Sequence, residues 1–442
     1  MAQNSTGNSL IKFLKHINFK NTIKKHYSST LNLEIRHDAY QEGDLIFAPL
    51  NNDVYQLAKI ISCRVIEDFS ESAKEGEDLE YYVHFEGYNR RNDKWVPHKL
   101  IYCDSEEVNR QQIMRRDIQT QQDQEEEFLP NDEDAGMDDK SIKAHEQSTM
   151  FRTIEWVQIG THKCEAWYFS PYPEEYHKLD CLFICHYCLS YFQCDEDMER
   201  HSQRCDSRYP PGHEIYRDDK VSVFEVDGAK EPIYCENLSL VSKLFLDHKN
   251  LSYELSPFLF YCLCEYNDEG YQIAGYFSKE KDFSKPTDTD SFSPEKFEKE
   301  RNYNNLSCIL VFPFHQRKGY GKFLISFSYE LGILEGRQGT PETPLSDLGH
   351  RTYISWWTFK LLTFLKHFSG EEISVSDISQ QTGILQSDII KLFESFKILR
   401  YQQGDHFLVT PKRLLKTLIK KAGNPGHPVN PELIHWAPFE FY

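Results

Sequence analysis

The feature that most constrains the fold is a group of cysteine and histidine residues with the spacing of a metal site. Its four members, in the pattern C-x2-C-x12-H-x3-C, are Cys185, Cys188, His201 and Cys205. A turn brings the first pair together and a helix places the last pair on one face, so four soft ligands can close a tetrahedron around zinc. Cys181 and Cys194 lie nearby but fit the spacing less well. The pattern therefore predicts a local fold around a zinc ion.

A zinc finger either reads DNA or stabilises a fold. A reader needs basic and base-contacting side chains on its helix, whereas this helix begins with Asp195, Glu196 and Asp197, which repel phosphates. Four protein ligands also leave no open position for catalysis. The sequence therefore favours structural zinc.

Composition and charge narrow the class of protein. A chain of 442 residues is long enough for two or three domains with real cores. Its formal net charge of -19 argues against a nucleic-acid binder held mainly by bulk electrostatics and suits a basic partner. Twelve cysteines in a chain that we do not expect to be secreted indicate reduced thiols, so the Cys/His group indicates metal rather than disulfides.

The first 33 residues contain five lysines and no acidic residue. They include no apolar run of the length that a secretory signal needs, and no other stretch approaches the roughly 18 apolar residues of a membrane span. We expect neither secretion nor a membrane partner. The opening SLIKFLKHINFKNTIKK can be amphipathic, which leaves a mitochondrial transit peptide open, although it contains no arginine. A basic, disordered arm over residues 1–39 is favoured.

Two further segments follow the arm. Residues 40–103 alternate apolar and polar positions at period two between turn residues, which predicts a small antiparallel barrel. Residues 104–149 are acidic and rich in glutamine, with nine acidic and no basic residues from Asp123 to Asp139. Such a segment does not bury enough apolar surface to offset its ordering entropy, so we expect a disordered linker.

The remainder, residues 150–442, is densely aromatic and is predicted to form one large domain. Within it, the polar stretch from about residue 281 to 305 predicts a surface loop. Near the end, SVSDISQQTGILQSDIIKLFESFKILRYQQGDHFLVTP contains a helix start, Gly383 at a turn, a second amphipathic helix and two short strands around Gly404. This order is typical of a winged helix.

A second motif is a glycine-containing loop, HQRKGYGKF, between an apolar strand and an apolar helix. Gly319 and Lys322 are too close for a Walker loop, and Leu324 stands where the dinucleotide fingerprint has its third glycine. Backbone N–H groups at the start of the helix, with Arg317, Lys318 and Lys322 beside them, are suited to a pyrophosphate. On this motif alone, the alternative that the loop is a simple turn without a ligand is not excluded.

Taken with its surroundings, the chain resembles the MYST family of histone lysine acetyltransferases. Q-x-x-G-x-G-K after a strand is similar to the acetyl-coenzyme A signature of GNAT-like acetyltransferases. Matching stretches, in the family's order, are WYFSPYPEEY, the zinc finger, RYPPGHEIYR, FEVDG, LSLVSKLFLDHK, PFLFYCLCEY, GYFSKEK, PETPLSDLGHRTYISWW and VSDISQQTGI. The resemblance implies an α+β fold: a chromo-barrel at 40–103, then a MYST domain with zinc finger 181–206, acetyl-CoA core 207–350 and winged-helix-like segment 351–442.

The resemblance also implies a reaction and its residues. A lysine amine, with a pKa of about 10.4, is protonated at neutral pH and needs a general base before it attacks a thioester. The family's base matches Glu342, which two flanking prolines hold on a rigid loop, whereas the competing Glu330 and Glu335 fall on the predicted helix or its end. Cys308, at the end of the strand before the loop, matches the family's active-site cysteine. It either carries the acetyl group or lines the pocket during direct attack, and direct attack is favoured.

The remaining site residues follow from the same resemblance. Acetyl-CoA is the donor substrate, and structural zinc is the resident metal. The residues implied to contact the acetyl arm through their backbone are Ile309, Leu310 and Val311. Those implied to hold the pyrophosphate are Gln316, Arg317, Lys318, Gly319, Tyr320, Gly321 and Lys322, with Ser346 and Ser355 as further contacts. Lys249 matches the family's autoacetylated lysine; without the family it is a solvated lysine at a helix end.

The barrel at 40–103 resembles the Tudor-knot module of some MYST enzymes. A methyl-lysine reader needs an aromatic cage for cation–π contacts. Phe85 and Tyr88 can supply two walls, but Asn92 stands where a reading barrel has a further tryptophan, and Trp95 is expected in the core. We therefore expect docking to a nucleosome, RNA or a partner protein, and NRRNDK gives the barrel a basic edge.

The overall prediction is a nuclear histone acetyltransferase that regulates chromatin and transcription within a multisubunit complex. Its acidic balance complements lysine-rich histone tails, and the barrel arrangement resembles the branch that modifies histone four. The competing hypotheses are a catalytically weak scaffold and a DNA- or nucleosome-binding subunit. The second helix of the winged-helix segment, SDIIKLFESF, is not basic enough to indicate that it reads a DNA groove.

Overall fold

A computed structural model describes most of the chain, in two compact units, residues 1–151 and residues 152–442. The described residues are 40–51, 54–65, 79–103, 151–177, 179–249, 251, 254–281, 302–370, 372–402, 405–408 and 411–438. The predicted arm over 1–39, the linker over 104–149 and residues 282–301 of the predicted surface loop lie outside them.

The first unit contains a four-stranded antiparallel sheet in the order β1-β2-β3-β4. Its strands are β1 (Leu45–Asn51), β2 (Val54–Val65), β3 (Leu79–Phe85) and β4 (Lys94–Pro97). Alternate residues face a small core, as period-two alternation predicts. The core includes Ile46, Ala48, Ala58, Ile60, Tyr81, Val83, Phe85 and Val96. The barrel-like region is therefore confirmed.

Two expectations about the barrel's aromatic residues were wrong. Phe85 is fully buried in the core, so it is not available as a cage wall. Trp95 lies only half-buried, where the Arg64 guanidinium sits 4.2 Å from its ring centroid and Tyr82 packs edge-on at 5.3 Å. Period-two alternation shows that the two faces of a strand differ but not which face lies toward the core. This is why the environments of Phe85 and Trp95 were predicted wrongly.

The second unit begins with the finger. Its sheet has the order β6-β5-β7-β8, with β5 (Trp156–Ile159), β6 (His162–Glu165), β7 (Cys181–Ile184) and β8 (Tyr191–Phe192). Helix α1 (Asp195–Ser202) follows directly. The acidic first turn of α1 complements the positive end of its helix dipole.

The centre of the second unit is a five-stranded antiparallel sheet in the order β14-β12-β11-β10-β9. In chain order the segments here are β9 (His213–Arg217), β10 (Val221–Asp227), α2 (Pro232–Lys243), β11 (Phe258–Asn267), β12 (Gly270–Glu280), β13 (Asn302–Leu306), β14 (Cys308–Val311), α3 (Tyr320–Leu334) and β15 (Gln338–Pro341). The strands are mostly apolar because both faces of the sheet are covered. One face packs with α3 and the C-terminal helices, and the other packs with α2 and the finger.

Helix α3 has the apolar face that its sequence predicts. The four residues of that face, all fully buried, are Phe323, Leu324, Phe327 and Leu331. The last element before the helix is a 3-10 turn over Pro313–His315, so the glycine-containing loop lies between the end of β14 and the start of α3.

The C-terminal part has the winged-helix order. After α4 (Asp347–His367) come α5 (Val375–Thr382), α6 (Gln386–Ser395), β16 (Leu399–Gln402), β17 (Asp405–Leu408) and α7 (Lys412–Ala422). Gly383 ends α5 with a φ of 73°, a left-handed conformation that favours glycine. Ser374 and Asp377 form a capping box at the start of α5.

The end of the surface loop predicted over 281–305 differs from the prediction. Its last residues belong to β13, which pairs in parallel with β15. Residues 302–305, NYNN, are polar in composition, and pairing with β15 makes them part of a strand. Within the described parts of the chain, no helix combines the length and the apolarity that crossing a membrane requires.

Candidate active site and zinc site

The loop between β14 and α3, residues 316–322, exposes a row of unpaired backbone donors; we call it the donor loop. Gly319 caps α3 with a φ of 94°, and Arg317 has a φ of 65°. None of the six N–H groups from Arg317 to Lys322 donates to a backbone carbonyl of the described residues. A helix start leaves such donors without partners, and together they attract an anion. The donor loop therefore has the backbone geometry of a phosphate cradle.

The three cationic side chains of the donor loop differ in their partners. Lys318 Nζ lies 2.6 Å from Glu265 Oε1, and the Tyr320 hydroxyl donates to the same oxygen at 2.6 Å. Lys322 Nζ donates to two carbonyl oxygens at the end of α7 and just beyond it. The Arg317 side chain is exposed, and among the described residues no ion-pair partner faces it. Arg317 is thus the cation of the loop that is left for a ligand.

Glu265 fixes one side of the donor loop. Burial raises the pKa of this carboxyl, but hydrogen bonds from Lys318 and Tyr320 lower it more, so the net pKa is below its usual value. His315 lies 3.3 Å from the same carboxylate and is almost fully buried. Burial lowers the pKa of His315 to about 4, so this histidine is neutral at pH 7.

Two more contacts hold the loop in position. The Gln316 side-chain amide donates to Val311 O at 3.2 Å, which joins the loop to the preceding strand. A Cβ at Gly321 would lie 3.4 Å from Thr352 Cγ2, so α4 passes directly beside the loop. The donor loop is therefore held between β14 and α4.

Strand β14 forms the edge of the central sheet. Ile309, Leu310 and Val311 pair with β12 on one side. Among the described residues no strand pairs with the other edge. Free backbone groups on an edge strand can hydrogen-bond an extended ligand. The backbone positions implied for the acetyl arm are therefore on an open edge that leads into the donor loop.

The sequence predicts Cys308 at the end of the strand before the loop. In the structure it is the first residue of β14. Its Sγ lies 3.6 Å from the hydroxyl of Tyr276, which is fully buried on the neighbouring strand β12. Burial raises the pKa of Tyr276 well above its usual value, so the phenol is neutral at pH 7. The polar contact of Cys308 is thus a neutral hydroxyl.

Glu342 follows β15 directly and is exposed. Its backbone N–H donates to Leu306 O at 3.0 Å, two residues before Cys308. The structure therefore brings the chain segments of Glu342 and Cys308 together. Of the competing carboxylates, Glu330 pairs with Lys360 and Glu335 pairs with Lys279.

Three other predicted site residues are Ser346, Ser355 and Lys249. Ser346 caps α4 and accepts a hydrogen bond from Gly349 N at 3.0 Å, whereas Ser355 donates to Ala422 O. Lys249 lies half-buried after α2, and no hydrogen bond among the described residues joins it to the donor loop. Their roles toward a cofactor or in autoacetylation stay predictions.

The zinc ligands come together as the spacing predicts. One ligand atom from each of Cys185, Cys188, His201 and Cys205 lies within 4.8 Å of the others. Cys188 Sγ is 3.2 Å from His201 Nε2, which is the ring nitrogen that faces the site. Cys181 and Cys194 are outside this group. Three thiols and one imidazole form a closed donor set that fits structural zinc.

One detail of the finger differs from the prediction. Helix α1 ends at Ser202, so Cys205 lies beyond it rather than on the same helical face as His201. Its N–H still donates to His201 O at 2.8 Å, and this turn carries the fourth ligand back to the site.

Several residues that organise the site were not identified from the sequence. They are Glu265, Tyr276, Asp218, Gly426 and His427. The side chains of Asp218 and His427 form a hydrogen bond of 2.7 Å across 209 positions of sequence. No local pattern signals such a pair, because neither residue belongs to a periodic motif.

The fold and the site define a protein with a central antiparallel sheet, a closed Cys/His donor set that fits zinc and a loop whose backbone N–H groups suit an anion. Residues 209–434 match the MOZ/SAS family, residues 151–205 match the MYST family zinc finger domain, and residues 41–103 match the Tudor-knot, described as an RNA binding activity-knot of a chromodomain.

Named relatives agree with this assignment. The chain is 40% identical over 368 residues to Histone acetyltransferase of the MYST family 1 of Arabidopsis thaliana, covering 82% of this chain and 79% of that protein. It is 42% identical over 299 residues to Histone acetyltransferase MOF of Drosophila melanogaster, covering 67% of this chain and 34% of that protein. It is 41% identical over 285 residues to Histone acetyltransferase ESA1 of Mycosarcoma maydis, covering 64% of this chain and 47% of that protein.

The chain therefore belongs to the MOZ/SAS family, the MYST class of histone acetyltransferases. Enzymes of this class use acetyl-CoA, and the finger with its Cys/His cluster fits their structural zinc.

Proposed function

We propose that the protein transfers the acetyl group of acetyl-CoA to lysine side chains of histone tails in nucleosomes, with histone four as the first substrate. The observation that carries this proposal is the arrangement of three features along one edge. Unpaired N–H groups form the donor loop, the open edge of β14 leads away from it, and Glu342 is held beside the start of that strand.

The donor loop binds the pyrophosphate of acetyl-CoA. Its backbone N–H groups and the free guanidinium of Arg317 supply the positive potential. The pantetheine arm follows β14, where the backbone of Ile309, Leu310 and Val311 hydrogen-bonds it and polarises the thioester carbonyl. Ser346, which caps α4, and Ser355 on α4 are further contacts of the cofactor.

Glu342 is the general base. It accepts a proton from the lysine ammonium, and the free amine forms a bond to the thioester carbonyl carbon. The carbon–sulfur bond then breaks, and the departing thiolate takes the second proton of the amine and leaves as coenzyme A. An exposed carboxylate at a strand end suits a substrate that arrives from solvent. Glu330 lies on α3 and Glu335 at its end. The Glu342 backbone, in contrast, hydrogen-bonds Leu306, two residues before Cys308, and this supports Glu342 in the role.

Cys308 lines the pocket during direct attack. A nucleophilic cysteine needs an adjacent base or cation to form its thiolate. Among the described residues the polar neighbour of Sγ is the Tyr276 hydroxyl, which supports a ternary complex rather than an acetyl-cysteine intermediate.

The wider context follows from the family. We propose that the protein acts in the nucleus, within a multisubunit complex that regulates transcription. The barrel over residues 40–103 docks to a nucleosome, RNA or a partner subunit, since Phe85 is buried and a complete aromatic cage is not formed by the predicted residues. Autoacetylation of Lys249 beside the substrate groove is part of the same proposal.

Mass spectrometry tests this function directly. Purified full-length protein is incubated with isotope-labelled acetyl-CoA and either core histones or nucleosomes, alone and with partner subunits. Label on lysines of the histone-four tail is the expected result. Absence of label on every histone under all these conditions would refute the proposed activity, and label confined to another histone would refute the substrate preference.

A further inference from the structure

The segment that follows α7 passes directly beneath the donor loop; we call residues 423–436 the strap. Its closest approach is at Gly426, where an added Cβ would lie 2.8 Å from Lys322 Cβ and 2.9 Å from Gly319 O. An added Cβ at Gly319 would in turn lie 2.9 Å from His427 N and 3.0 Å from Gly426 Cα. The two backbones touch where both residues lack a side chain, so the strap and the loop fix each other's position.

Polar contacts reinforce this approach at the start of the strap. Lys322 Nζ donates to Asn424 O at 2.5 Å and to Ala422 O at 3.3 Å. Ser355 on α4 donates to the same Ala422 carbonyl. Carbonyls at the C-terminal end of a helix favour a cation. The end of α7 therefore holds a lysine that belongs to the donor loop.

The far side of the strap is fastened to the edge of the central sheet. His427 Nε2 lies 2.7 Å from Asp218 Oδ2, and both side chains are only 12% exposed. Further along, His435 N donates to Ile215 O at 2.8 Å and Trp436 Nε1 donates to Glu225 Oε2 at 2.6 Å. These contacts tie the strap to β9 and β10.

Asp218 is itself held by the turn that contains it. Its carboxylate accepts N–H groups of Lys220 at 2.8 Å and Val221 at 2.9 Å, and the Tyr216 hydroxyl donates to it at 2.9 Å. An anchor with this many partners has little freedom. The strap therefore connects the donor loop to a rigid point on the opposite edge of the sheet.

The donor loop needs such support. Arg317 and Gly319 both have positive φ, a conformation that is sparsely populated and persists where the surroundings enforce it. A loop that holds its N–H groups outward before the ligand arrives binds more tightly than one that must be ordered on binding.

We propose that Gly426 and His427 are positioning residues for acetyl-CoA, acting through the donor loop that the strap holds in its binding conformation. This inference rests on the proposed function, because acetyl-CoA is taken as the ligand of the loop.

A pair of glycine variants of the full-length protein tests the proposal. Gly426→Ala introduces a Cβ into the loop contact. Gly336→Ala is the matched control, because Gly336 also has a positive φ, 70° against 92°, but lies just after α3, outside the strap, and has no atom within 4 Å of its added Cβ. The measurements are acetyl-CoA affinity by calorimetry, KM and kcat with histone substrate, and the melting temperature.

Gly426→Ala should weaken acetyl-CoA binding and raise KM for acetyl-CoA about tenfold, with kcat at saturation within about threefold of wild type. Gly336→Ala should leave KM within about twofold even where its melting temperature falls. Equal changes of KM in the two variants, or a change of melting temperature alone in Gly426→Ala, would overturn the proposal. Failure of the wild type to bind acetyl-CoA would instead refute the proposed function.

A second pair of variants covers the case in which Gly426→Ala does not fold. His427→Gln keeps an N–H donor toward Asp218, and His427→Leu removes it. KM for acetyl-CoA should rise about fivefold or more in His427→Leu and stay within about twofold in His427→Gln. Unchanged KM in His427→Leu, or no rescue by the glutamine, would contradict a positioning role.

Discussion

Cys308 is half-buried, and the Tyr276 hydroxyl lies 3.6 Å from its Sγ. Because the neutral phenol does not activate a thiol, we expect Cys308→Ala to retain acetyl transfer to histones within about tenfold of wild type. Steady-state kinetics measures this loss, and intact-protein mass spectrometry after mixing with acetyl-CoA alone checks for an acetyl-cysteine. A loss of about a thousandfold or more together with a trapped acetyl-cysteine would establish the covalent route instead.

His315 makes the stability of the second unit depend on pH. It is 3% exposed, and Glu265, Lys318 and the ring of His162 surround it. Burial lowers its pKa to about 4, below the value of about 6.5 for an unfolded histidine. The unfolded chain therefore binds a proton between these two values that the folded chain does not, and stability is lost as the pH falls from about 6.5 toward 4.

His315→Phe removes this titration while keeping an aromatic ring in the cluster. Between pH 7 and pH 5 the wild type should lose up to about 2 kcal/mol more of unfolding free energy than the variant. Chemical denaturation at the two pH values measures the difference. Parallel losses in both proteins would show that His315 is not the group responsible.

At the level of elements, the donor loop distinguishes its own cations. Arg317 has no ion-pair partner in the part of the chain that the structure describes, whereas Lys318 is paired with Glu265 at 2.6 Å. We expect Arg317→Gln to raise KM for acetyl-CoA about tenfold, since a charge-assisted hydrogen bond to an anion is lost, and Lys318→Gln to raise it less than about threefold. Initial rates at varied acetyl-CoA provide the comparison, and the reverse order of effects would show that the phosphate draws Lys318 away from Glu265.

Elements with a strong local pattern were predictable from the sequence. The spacing from Cys185 to Cys205 identified four metal ligands, and the apolar face of α3 and the turn at Gly383 followed from helical periodicity and backbone preference. The contacts that fix the donor loop were not predictable. The partner of Lys318 lies 53 positions away and the partner of His427 lies 209 positions away, and only the folded sheet brings them together.

Strand β13 and the barrel show a second limit. Asn302–Leu306 has a polar sequence, and its pairing with β15 rather than its composition makes it a strand. Phe85 and Trp95 were assigned to the wrong environments because alternation alone does not give the direction of closure.

For the whole molecule, the net charge of -19 is opposite in sign to the charge of a histone tail, so the two attract each other. Long-range attraction of this kind raises the association rate and is screened by salt. The kcat/KM for a histone-four tail peptide should therefore fall as NaCl is raised from about 50 to 300 mM. A peptide with its flanking lysines and arginines replaced by glutamine is the control and should have a shallower slope. Equal slopes for both peptides would indicate that local contacts, not overall charge, guide the substrate.

The central claim is that Glu342 deprotonates the lysine that attacks acetyl-CoA. The most direct test compares single-turnover acetylation by wild type, Glu342→Gln and the helical control Glu330→Gln, at saturating acetyl-CoA and histone over a range of pH. At pH 7 the Glu342 variant should be slower by about 10² to 10⁴ with unchanged acetyl-CoA affinity, and its deficit should narrow as the pH approaches the amine pKa of about 10.4. The Glu330 variant should stay near the wild-type rate. A Glu342→Gln rate within about threefold of wild type at pH 7, or an equal loss in Glu330→Gln, would contradict the account.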